Sequence, residues 1–95
     1  MSQIVRALIC IMLLAVAAMP ARAQNGFDRP GGDYTRFVVP SGDPAVCAAR
    51  CDRENRCRAW TYVRPGYQGA QARCYLKSAI KPPRRSPCCL SGVVR

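Results

Sequence analysis

The chain contains no histidine, so the side chain that most often serves as a general base near neutral pH is missing. Acids are scarce as well: five Asp and Glu stand against fifteen Lys and Arg. They are scattered, and none falls in a paired-carboxylate or metal-binding pattern. Ser41, Ser78, Ser86 and Ser91 have no recognisable nucleophile elbow and no neighbouring base. No Cys-x-x-Cys occurs, which disfavours a thioredoxin-like oxidoreductase. The expectation is a protein without catalytic activity, cofactor or metal. A long apolar run is lacking too. The apolar stretch at residues 7–18 falls short of the about 20 residues that a transmembrane helix needs.

That stretch belongs to residues 1–23, which read as a signal peptide. Arg6 supplies the basic start, Met19-Pro20 breaks the apolar region, and Ala21-Arg22-Ala23 is the small-x-small pattern of a cleavage site. There is no twin-arginine pair in the basic start, and no cysteine directly follows the expected cut after Ala23. A secreted or periplasmic product is expected, covering residues 24–95: a single domain of 72 residues. Cys10 leaves with the leader, so seven cysteines become six. An even count in a short exported chain reads as a disulfide framework. It also meets a physical need, because a chain this small buries too little apolar surface to be secure without staples. Loss of Arg6 and Arg22 leaves 13 basic residues, 11 of them arginine, against five acids, a net charge of +8.

The order of elements follows from local chemistry. Residues 24–33 (QNGFDRPGGD) are rich in Gly, Pro and Asp and read as a flexible lead-in to a domain at 34–95. Residues 34–39 (YTRFVV) read as a first strand. Asp43 can cap a helix whose first position is Pro44. That helix is expected over 44–54, with Ala45, Cys47, Ala48 and Cys51 facing inward and Asn55 ending it in a left-handed conformation. Residues 57–63 form one arm of a hairpin and 73–77 the other, joined by the Gly- and Pro-marked loop 64–71 with Tyr67 near its tip. Residues 81–87 (KPPRRSP) are expected to be irregular, because three prolines remove donors. Residues 88–94 return to β character as an edge strand. An all-thiolate zinc site is the rival use of Cys47, Cys51, Cys57 and Cys74, but only the first pair has the usual C-x2–4-C spacing.

Taken in order, Cys47-x3-Cys51-x5-Cys57-Arg-Ala-Trp-Thr-Tyr and then Cys74-Tyr-Leu-Lys resemble the PAN/apple domain family. The ending Cys88-Cys89-Leu-Ser-Gly-Val resembles small exported bacterial members. The resemblance covers residues 33–94. It implies an α+β fold, a small disulfide-stapled antiparallel sheet cradling one helix, and a non-catalytic role in binding proteins or carbohydrates. It also implies the pairs Cys47–Cys74 and Cys51–Cys57. The bridge that joins the ends of apple domains is absent, since no cysteine stands between residues 24 and 46. Cys88 and Cys89 then have three open fates: a vicinal bond with each other, a bond into the core that displaces a family pair, or a bond to another chain.

Functional expectations rest on the arginines and aromatics. Arg53, Arg56, Arg58, Arg64, Arg84 and Arg85, with Tyr67, are the candidate ligand contacts. The guanidinium fork suits carboxylates and phosphates, so an anionic protein or glycan partner is in view; the plain alternative is a solvated basic surface. Trp60 and Tyr62 alternate on one strand face and read as core. Nucleic acid is not expected for an exported protein. Two other classes compete: a cationic membrane-active protein, and a redox-responsive structural protein built on Cys88-Cys89.

Overall fold

The computed structural model describes residues 23–94, so the expected signal peptide and Cys10 lie outside the described residues, apart from Ala23. Five strands and one helix follow in order: β1 (Gln24–Asp28), β2 (Asp33–Val39), α1 (Ala45–Arg53), β3 (Ala59–Val63), β4 (Ala72–Lys77) and β5 (Arg84–Val93). They form one antiparallel sheet in the order β1-β5-β3-β4-β2. The architecture is the α+β sheet-and-helix arrangement expected above.

The helix starts where its sequence dictates. Pro44 takes helical angles, and the Asp43 carboxylate accepts from the Ala45 amide at 2.9 Å. Arg50 and Arg53 lie in the last turn, where their charge complements the carbonyl end of the helix dipole. The ending differs from expectation. No non-glycine residue has positive φ among those described, so Asn55 is not left-handed. Glu54 turns to extended angles instead, and the short Cys51–Cys57 bridge leads the chain toward β3. Cys47 and Cys51 are fully buried and Ala48 packs on the core, whereas Ala45 is exposed at the first turn.

β3 is buried along its whole length. On one face Trp60 and Tyr62 join Leu76, Val39, Ala72 and the two helix-linked disulfides in the core beneath α1. The Tyr62 hydroxyl donates to the Gly42 carbonyl at 2.6 Å, so its polar tip is satisfied. Trp60 stands opposite Gly92 in register, and the indole occupies the space that a larger residue there would fill.

Two parts of the chain depart from their local sequence character. Residues 24–28 are β1, not a flexible lead-in: Gln24 pairs with Ser91 and Asp28 with Arg84. A polar segment becomes a strand because β5 offers it an unpaired edge, a case of tertiary context overriding weak propensity. The same pairing draws Arg84 and Arg85 of the supposedly irregular 81–87 stretch into β5. Pro87 fits because the β1 register jumps from Leu90 to Arg85, which leaves it in a bulge where no ladder donor is required. β5 is accordingly an interior strand, and the sheet edges are β1 and β2.

Because β1 and β2 are at opposite edges, residues 29–32 must cross the sheet, and they cross the face away from α1. Five residue steps from Asp28 to Asp33 reach at most about 18 Å, while four gaps of a flat sheet span about 19 Å. The strap is thus too short to span a flat sheet, and the sheet curls beneath it.

Candidate functional site

The strap face holds the polar residues that the helix face excludes. Cross-strand register sets Thr61 between Tyr75 and Ser91, and sets Lys77 and Val93 on either side of Ala59. The strap fastens to this row. The Thr61 hydroxyl donates to Asp28 Oδ1 at 2.9 Å. The Lys77 ammonium donates to the Gly31 carbonyl at 3.2 Å and is ion-paired with Asp33. Arg29 anchors the strap outside the row, donating to the Lys81 carbonyl at 2.7 Å and to Gln24 Oε1 at 3.1 Å. Lys77 is only 2 % exposed, and a buried ammonium is tolerated because it is paired and hydrogen-bonded.

Between strap and sheet lies a cleft of about 240 Å³, lined by Asp28, Asp33, Thr61, Tyr75 and Lys77, with Gln68 of the β3–β4 loop at its rim. Cys88 and Cys89 also line it. They are bonded to each other, while the other described cysteines pair as Cys47–Cys74 and Cys51–Cys57. Beside the cleft, the fully buried Ser91 hydroxyl has no hydrogen-bond partner. The sequence carries little local signal for this site. Lys77 in the apolar β4 was its one local signal, and the partners Asp28 and Asp33 come from a segment read as loose.

The residues singled out from sequence do not form one patch. Arg53 and Arg56 are exposed at the end of α1, and Arg58 is exposed just before β3. Arg64 and Tyr67 belong to the opposite end of β3, six residue steps or about 20 Å away along an extended strand. Arg64 is engaged in holding the fold: it donates to the Pro87 and Cys89 carbonyls at 3.0 and 3.2 Å and to Asn25 Oδ1. Tyr67 is 55 % exposed on its loop. Arg84 and Arg85 are exposed where β5 begins against β1.

A second polar cluster ties α1 to β2. The Arg50 guanidinium lies 4.1 Å from the centre of the Phe37 ring, and that of Arg56 lies 4.6 Å from the centre of the Tyr34 ring. Glu54 joins them, accepting from Tyr34 at 2.6 Å and from Arg50 at 3.0 Å. Burial, together with the hydrogen bond to Glu54 and its charge, pushes the Tyr34 phenol up to about 12. The hydrogen bonds from Tyr34 and Arg50 hold the Glu54 carboxyl below its ordinary range. No group of three or more Cys, Asp or Glu among the described residues is arranged to hold a metal ion, and no described helix is long and apolar enough to cross a membrane.

No curated protein matches the chain. The family profile described as PAN domain matches residues 27–77, a span that runs from the end of β1 through the strap, β2, α1 and β3 to Lys77, the last residue of β4. With more than half of its sequence matched, the chain belongs to the PAN domain family.

Proposed function

We propose that the protein is an exported, non-catalytic binding module for a protein or carbohydrate ligand. The observation that carries this reading is the strap-side cleft. Its charged groups are already engaged, Lys77 by the Asp33 carboxylate and Asp28 by the Thr61 hydroxyl. Groups fixed in such pairs orient a ligand; they are not poised to move a proton or attack a bond. Membership of the PAN domain family supports a binding role. The three disulfides support a location outside the cytoplasm. Arg53, Arg56, Arg58, Arg84 and Arg85, together with Tyr67, are exposed at separate places on the molecule, where they can make first contact with an anionic partner.

The test is direct titration of the immobilised, oxidised protein with exported glycans, anionic lipid headgroups and envelope proteins. Saturable binding to one class is expected. If every isotherm stays linear, the reading fails.

A further inference from the structure

The cleft beneath the strap has a charge balance opposite to that of the molecule. The chain carries a formal charge of +10, but the cleft is lined by two carboxylates, Asp28 and Asp33, and one ammonium, Lys77. A phosphate, sulfate or uronate placed there would face a net negative wall in a partly buried setting, where screening is weak. Arg36 and Arg73 lie on the same sheet face by register, opposite Tyr75 and Val63, but neither lines the cleft.

The size and the donor pattern narrow the occupant further. A space of about 240 Å³ holds the equivalent of about eight waters, and it falls below the range of about 300–1,000 Å³ typical of drug-sized sites. That is room for one ring. Asp28 and Asp33 each keep acceptor capacity beyond the bonds they make. Lys77 spends two of its three N–H donors on Asp33 and Gly31, and Gln68 accepts from Tyr75 through its oxygen, which leaves its amide N–H groups free to donate. A lining that offers both acceptors and donors suits adjacent hydroxyls, which do both. The vicinal disulfide and Val63 supply an apolar wall beside them.

We infer that this cleft binds a neutral polyhydroxylated ring, a single sugar residue of a larger glycan, with its C–H face against Cys88–Cys89 and its hydroxyls on Asp28, Asp33, Gln68 and Lys77. This rests on the binding-module reading and assigns the site and the ligand chemistry within it. The exposed arginines attract; the cleft selects.

The experiment is a titration of the ¹⁵N-labelled, oxidised protein with methyl glucoside, methyl galactoside and methyl N-acetylglucosaminide. Glucuronate and N-acetyl-lysinamide serve as charged comparators. The expected result is a saturable shift of the Thr61, Gln68, Tyr75 and Cys89 amides with at least one neutral glycoside, and a weaker response to glucuronate. Gln68→Ala should weaken that binding about tenfold, while Val46→Ala, at an exposed position of α1 outside the cleft, leaves it unchanged. Joint replacement of Cys88 and Cys89 by Ser should also weaken it, with far-UV circular dichroism confirming the fold. The inference is overturned if no glycoside moves these amides, if glucuronate binds more tightly, or if only the amine binds. Shifts confined to Arg53, Arg56 and Tyr67 would remove the cleft but leave the binding module standing.

Discussion

Gly92 shows how tightly single residues are specified. A methyl group built there would stand 2.6 Å from Cζ2 of Trp60, closer than real contacts allow. Gly→Ala in a strand would ordinarily stabilise by removing unfolded-state freedom, but Gly92→Ala should here cost about 1–3 kcal/mol by overpacking. In a domain this small that lowers the thermal midpoint by several degrees; an unchanged midpoint would contradict the packing. The Tyr34–Glu54–Arg50 cluster makes pH predictions with definite signs. Glu54 is held below its ordinary value in the folded state, so its contribution is present at neutral pH and is lost as pH falls through that lowered value. The stability gap between the parent and Glu54→Gln, followed by denaturant melts, should therefore close on acidification. Tyr34 is raised to about 12, so its contribution holds below the ordinary tyrosine value near 10 and is lost as pH rises through about 12. Ultraviolet titration should show one phenolate appearing near pH 12 that is missing in Tyr34→Phe. At this scale Trp60 and Tyr62 were legible as core from alternation alone. Arg64 was not, because its acceptors are backbone carbonyls some 23 and 25 residues away.

Among the elements, the helix and the β3–β4 hairpin carry the staples. The Cys47–Cys74 bond links residues 27 apart and Cys51–Cys57 links residues six apart. Loop-closure entropy gives about 3.5 kcal/mol for the first and about 2 kcal/mol for the second. Replacing Cys47 and Cys74 with Ala should destabilise more than replacing Cys51 and Cys57, as read by denaturant midpoints at constant m-value; the reverse order would mean that native-state contacts outweigh chain entropy. The helix was readable from its Asp-Pro start and its cysteine stripe, and the hairpin from β-branched and aromatic runs around a glycine-marked loop. The pairing came from the family resemblance, since spacing alone left many arrangements. β1 and the start of β5 were not readable. QNGFD and KPPRRSP carry breaker residues; residues 81–83 stay irregular, and QNGFD and the start of β5 become strand only because each is beside the other.

For the whole molecule, the placement of β1 and β2 at opposite edges has the largest consequence. It forces a short strap across the face away from the helix, and a polar cleft lies between strap and sheet. Nothing local in the sequence announces this, because strand order is a property of long-range pairing. The net positive charge was legible, but it describes the outer surface and not the cleft, where carboxylates outnumber the ammonium. On the proposed reading, recognition depends on the disulfide-closed fold, and charge alone does not produce it. The most direct test compares the oxidised protein with the same chain reduced and alkylated, titrated against one glycan panel at fixed ionic strength. Saturable binding by the oxidised form and its loss in the alkylated form are expected. Equal binding by both would contradict it, leaving only a basic chain that attracts anions.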